Sequence, residues 1–332
     1  MEATRLENVP PPPGIINSIR AGFDTIASHI TAILMPLALN LFFWLGPRLR
    51  VDDFFYKIFD DTMKADLISR LQSQGISALE IQNQLQEIDA YISSINLFWM
   101  LRTLPIGISS LPLSRELSPT PLGEPLVWQA NGWVIFLAFF ALNFIGWVGG
   151  AIYFRTVSKI AAPNEQGAVS WFKAILQTVL ISIFCTMLFL TLSPVFFGVL
   201  VVLAAQNVIV ASLTLLLLSF VSMWLIVPIF FLPHGVFVKN QNAFQALGGS
   251  IFFTRYTLPN SSLFVLTVFM LAYGLNLLWS VPSETSWLTL LAIFGHSFVT
   301  TALLAASFIY YRDMSAWVQA ILEKRKPPVA QA

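Results

Sequence analysis

The chain has 332 residues, of which 56% are apolar and only 11% charged, with a mean hydropathy of +0.73 and a formal net charge of +1. Soluble domains carry roughly twice that share of charged residues, so the composition excludes a soluble globular protein, and the near-neutral charge excludes a nucleic-acid partner. The single cysteine, Cys185, lies in an apolar run and supports neither a disulfide framework nor a paired-cysteine metal or redox motif.

About 20 apolar residues cross a hydrocarbon core of about 30 Å, and by that measure the sequence predicts an all-α, polytopic transmembrane helix bundle of about six spans. Residues 1–28 form a Pro-rich start, Pro10 to Pro13, followed by an interfacial helix on which Ile16, Ile19, Phe23 and Ile26 share a face. Glu2, Glu7 and the prolines precede any apolar segment, which argues against a cleavable signal peptide and leaves the first span, 29–46, as an anchor.

Residues 47–130 are the one sizeable polar section, with ten acidic and seven basic residues. Phe55, Ile58, Phe59, Met63, Leu67 and Leu71 predict one helix and Gly75 its stop. Ser77 followed by Glu80 predicts the capping-box start of a second helix, striped by Ile81, Leu85, Ile88, Ile92 and Ile95. These stripes serve either to pack the helices on each other or on the bundle, or to form a lid or docking surface. Pro105, Pro112, Pro119, Pro121 and Pro125 predict a linker-like return to the membrane.

Five further spans follow at 133–154, 174–204, 208–233, 262–282 and 287–311. The 60 residues 174–233 contain no Asp, Glu, Lys or Arg and divide at Gln206 and Asn207, with kinks expected at Pro194 and Pro228. A short turn, Pro282 to Thr285, closes the last pair into a hairpin. Amphipathic stretches also precede the third span (Val169, Phe172, Ile175) and the fifth (Phe244, Leu247, Ile251), giving three hairpins that each follow an interfacial elbow helix. Basic residues fix the orientation. Arg5, Arg20, Arg155, Lys159, Lys173, Lys239, Arg255, Arg312, Lys324, Arg325 and Lys326 all fall on one side, which predicts cytoplasmic termini and an extracytoplasmic 47–130 insertion.

The six spans contain no Asp, Glu, Lys or Arg, which argues against a proton-coupled pump, a voltage sensor or an acidic-dyad protease. His296 falls near the middle of the sixth span, at the depth of Tyr273 and Asn276, and the three make a candidate polar intramembrane cluster whose plainest role is an interhelical hydrogen bond. His29 and His234 read as headgroup contacts at the inner interface. Gly146 and Gly150 form a candidate helix-packing notch, as do Ala302 and Ala306. No metal-ligand spacing, phosphate loop or nucleophile elbow occurs, so no catalytic residue, metal or cofactor is predicted.

The segment Ser18-Ile19-Arg20-Ala21-Gly22-Phe23, the motif Trp44-Leu45-Gly46-Pro47-Arg48 and the elbow-plus-hairpin plan resemble bacterial six-helix membrane proteins that carry no assigned activity, and the group that includes the membrane domain of glycerophosphodiester phosphodiesterases. That resemblance implies no activity, because the membrane domains alone carry no phosphodiesterase residues; the expected location is a bacterial-type plasma membrane. Asn242-Ala243-Phe244, Gly248 and Leu258-Pro259 resemble the coupling loop of permease subunits of binding-protein-dependent ABC importers, although the acidic residue and second alanine of that pattern are absent. This second resemblance implies a cytoplasmic ATPase partner at Ala243, Gly248, Arg255, Leu258 and Pro259. A simple interfacial elbow explains the same residues. The expected role is structural, assembly-related or lipid-interacting and non-enzymatic, with the lipid bilayer and a membrane complex as partners. A permease subunit, or a membrane enzyme acting on lipid through His296 or the outer section, is the alternative.

Overall fold

The computed structural model describes residues 11–59, 61–73, 75–111, 119–163 and 167–325. Arg5, Pro10, Pro112 and Lys326 lie outside them. Helices α6 (Gly132–Ala161), α7 (Trp171–Gln206), α8 (Val208–Lys239), α9 (Ala243–Trp279) and α10 (Leu288–Arg325) are each long and apolar enough to cross a membrane. A sixth candidate span is a bent pair in which α1 (Ile15–Ser28) turns through 97° at His29 into a 3-10 turn (Ile30–Ile33) and α2 (Leu34–Leu45). The protein is a multi-pass, all-α integral membrane bundle.

Its first elbow is held by close packing. Ser18, Gly22 and Ile26 recur every four residues and form the buried face of α1. A Cβ on Gly22 would stand 2.5 Å from the Ala302 carbonyl and 2.6 Å from Ala306 Cβ, so the Ala302 and Ala306 notch of α10 receives α1 at backbone distance. Phe23 meets Phe298 edge-on at 5.9 Å beside it.

The other two elbows are not separate helices. Ser170 caps α7 through the Lys173 amide, and an Asn242–Gln245 capping box opens α9. Each helix then runs without interruption from elbow into span. Nothing at these places resembles the non-helical His29 that breaks the first pair. Pro194, Pro228, Pro233 and Pro259 also lie inside continuous helices, as apolar surroundings permit when neighbouring groups satisfy the freed carbonyls.

Asn207 alone separates α7 from α8, its Oδ1 accepting from Ile209 N at 2.8 Å and Val210 N at 3.2 Å. From residue 183 to residue 226 only Ala211 is buried. Along this outer hairpin, Thr191, Ser212, Ser219 and Ser222 donate their hydroxyls to carbonyls of their own helix, which removes the cost of facing lipid.

The insertion starts and ends in a clip that the sequence did not signal. Strand β1 (Arg48–Arg50) pairs in parallel with β2 (Val127–Gln129), from Arg48 opposite Val127 to Arg50 opposite Gln129. Between them stand α3 (Asp52–Ile58), α4 (Asp61–Ser73) and α5 (Ala78–Ser94). Gly75 takes the left-handed φ of +82° that ends α4, and Ser77 caps α5 by accepting from Glu80 N. Helix α5 packs on α3 and α4. Ile81 and Ile92 of its stripe are buried, whereas Ile88 is exposed.

The bundle core is aromatic, with Phe264 stacked on Tyr310 at 4.0 Å and Phe231 packed between Phe253, Tyr310 and Tyr311. His234 belongs to this core and is not a headgroup contact. It is 2% exposed, bonds Ser307 Oγ through Nε2 at 2.8 Å and lies 4.8 Å from the Phe308 ring. Helix α8 runs on to Lys239, so its polar end comes after His234. At that end Lys173 donates to the Asn240 carbonyl, Lys239 covers Tyr311 at 5.1 Å, and Arg312 Nη1 donates to the Ala161 carbonyl at 3.3 Å. The basic residues of α6, α7, α8 and α10 therefore gather at one end of the bundle.

Candidate functional site

The insertion does not remain outside the bundle. After α5, Asn96 caps a 3-10 turn (Leu97–Leu101) by accepting from Phe98 N at 3.2 Å, and the same Oδ1 accepts from Leu49 N at 3.1 Å, tying the turn to β1. The chain then passes, without helix, between the spans as segment 102–111. Ile106 and Leu111 within it are fully buried.

Gly146 and Gly150 of α6 are where it enters. A Cβ on Gly146 would lie 2.7 Å from Thr103 Cγ2 and 2.8 Å from the Leu101 carbonyl; one on Gly150 would lie 2.8 Å from the Ile106 carbonyl and 2.9 Å from Gly107 Cα. The expected helix-packing notch is therefore filled by irregular backbone and not by another helix. The two glycines are spaced correctly for either partner, because both need only a missing side chain.

Irregular backbone at this depth must have its N–H and C=O groups satisfied by the protein, since lipid offers no partners. Asn40 of α2, fully buried, accepts from Leu111 N at 2.6 Å and donates to the Pro36 carbonyl at 2.7 Å and to Ser297 Oγ at 3.4 Å. Arg102 Nη2 donates to the Leu111 carbonyl at 3.3 Å while its guanidinium lies over the rings of Phe43 at 4.9 Å and Trp99 at 5.6 Å. Thr103 Oγ1 closes a local turn on the Ile106 carbonyl at 2.8 Å.

His296 stands on the far side of this seam, 1% exposed. Its Nδ1 bonds Asn276 Oδ1 at 2.7 Å, and because that oxygen only accepts, Nδ1 carries the proton. Its Nε2 is buried without a hydrogen-bond partner among the described residues. Tyr273 is 69% exposed and stands outside, so the expected trio is a pair. The residues that complete the seam, Asn40, Ser297, Arg102 and Thr103, were missed. Asn40 alone gave a signal, being an amide inside a predicted span. Imidazole, amides and a guanidinium without a carboxylate form a set suited to holding backbone, and all of their bonds described above do that or link two helices.

Ala243, Gly248, Arg255, Leu258 and Pro259 lie along the first turns of α9 and do not converge on one place. Ala243 N donates to Gln177 Oε1 at 2.6 Å; Gly248, Arg255 and Pro259 are exposed, and Leu258 is half-buried. Among the described residues no three His, Cys, Asp or Glu side chains stand close enough to share a metal ion. No family model matches this chain, and neither a curated protein nor a solved structure is similar enough to it to place it beside a known relative.

Proposed function

We propose that this is a non-enzymatic plasma-membrane protein with a structural or assembly role, exerted through the α7–α8 hairpin. One observation carries the reading. From residue 183 to residue 226 the hairpin buries only Ala211 within its own chain, while α10 and the aromatic core around it are closely packed. At 1.5 Å per residue, residues 183–206 and 208–226 extend about 36 Å and about 29 Å, enough to cross a hydrocarbon core of about 30 Å, and most of their apolar side chains are exposed. Helices in lipid associate by close packing and not by escape from water, so such a hairpin is suited to meeting other membrane helices. Cytoplasmic termini are supported by the basic residues gathered at one end of the bundle.

The test is affinity purification from native membranes in mild detergent, with mass spectrometry of protein and lipid and cross-linking from cysteines placed at Val199 and Leu217. Cross-links from these positions to a stoichiometric membrane partner are the expected result. Monomeric protein without hairpin cross-links sinks the reading. A stoichiometric ATPase cross-linked near Ala243 to Pro259 would favour the permease reading instead, and turnover of lipid by the purified chain the enzymatic one.

A further inference from the structure

At the basic end, on the opposite side of the bundle from the insertion, a cleft of about 480 Å³ is lined by His29, Arg155, Thr156, Lys159, Ile160 and Trp171. It lies where three elements meet: the α1–α2 bend, the last turns of α6 and the first residue of α7. None of these lining residues is acidic. Arg155 is held in place by two contacts, its Nε donating to the Val169 carbonyl at 2.7 Å and its guanidinium lying 3.8 Å over the Trp171 ring. Those contacts leave both of its Nη groups without a partner among the described residues. Lys159 is exposed and, among the same residues, makes no ion pair. His29 Nδ1 lies 3.1 Å from both the Thr25 carbonyl and the Ser28 hydroxyl, so its ring is held by its own helix, and Nε2 has no hydrogen bond among the described residues.

An oriented guanidinium fork and a mobile ammonium are the two groups that proteins use to hold phosphate, the first bidentately and the second as a point charge. Amides at the start of a helix of 36 residues add a positive field at the same place. A tryptophan beside them is the side chain that settles at headgroup depth. We propose that this cleft binds a phosphate group, and specifically the phosphate of an anionic lipid headgroup, between Arg155 and Lys159. The proposal does not depend on the role assigned to the hairpin.

The experiment uses the full chain in mild detergent, incubated with phosphatidylglycerol or phosphatidylcholine and read by native mass spectrometry. Phosphatidylglycerol is retained in preference to phosphatidylcholine. Because a basic residue near an anionic headgroup contributes about 1 kcal/mol, Lys159→Gln lowers that retention about fivefold and Lys159→Arg restores it. Lys159 is exposed, so the melting temperature stays unchanged. Lys57→Gln, on the insertion, is the control that leaves retention as it was. Displacement by millimolar inorganic phosphate assigns a free phosphate as ligand, and persistence of the lipid assigns the headgroup. Equal retention of the two lipids, or an unaltered preference in Lys159→Gln, overturns the proposal.

Discussion

The seam around segment 102–111 and the α7–α8 hairpin are two membrane-level regions of one chain with opposite construction. In the seam, backbone that no helix satisfies is held by Asn40 and Arg102, and glycines let it approach α6 at contact distance. In the hairpin the backbone is paired almost entirely within two helices joined by the Asn207 cap, hydroxyls bond their own turns, and only Ala211 is buried between residues 183 and 226. The difference shows where the stability of this fold resides. A region that brings irregular backbone into the bundle depends on each polar partner, whereas a pair of long helices with one capping asparagine between them needs few and stays available for contact.

The largest effect expected on this contrast comes from Gly150→Leu. Its side chain would enter space occupied by Ile106 and Gly107, and overpacking of this kind costs about 3 kcal/mol; thermal unfolding in detergent should show the loss, and protease should cut segment 102–111. Asn40→Leu comes next, because it leaves the Leu111 amide buried without an acceptor, at about 2 kcal/mol. A stability equal to wild type would mean that the segment is held by shape alone. His296→Ala should cost about 1 kcal/mol, the value of one interhelical bond, and His296→Gln should recover part of it. If the alanine variant instead kept full stability while abolishing an assayable activity, the seam would be a site of chemistry. Smallest is the paired change Val199→Ala and Leu217→Ala, both in exposed positions, which should shift the stability of the isolated protein by less than about 0.5 kcal/mol. A large shift would show that the hairpin is packed within its own chain, and the comparison would collapse.

Much of the bundle was legible because its signals are local. The uncharged run from 174 to 233 reports helices that need no partner to hide their backbone, and Asn207 reports the break between α7 and α8 by capping the first turn of α8. The sequence also singled out His296 with Asn276 as an interhelical pair, since two polar residues at one depth have few other options in lipid. Tyr273 misled at the same depth, because depth along a helix does not say which face looks inward, and uniformly apolar surroundings leave no stripe from which to read it. The clip of β1 and β2 was invisible for another reason. Strands of three residues carry no periodicity, and their partners are far apart in sequence.

Composition and periodicity by themselves therefore determined that this chain is a multi-pass helical membrane protein with a helical insertion, because hydrocarbon forces backbone groups to pair within each segment and so makes length and apolarity sufficient marks of a span. Only the tertiary structure decided that the insertion sends 102–111 between the spans, that Gly146 and Gly150 admit it, that His234 is core, and that Arg155 and Lys159 share a cleft with Trp171. Those are contacts between elements distant in sequence. They depend on which faces meet, and a surface apolar on all sides leaves that choice to packing.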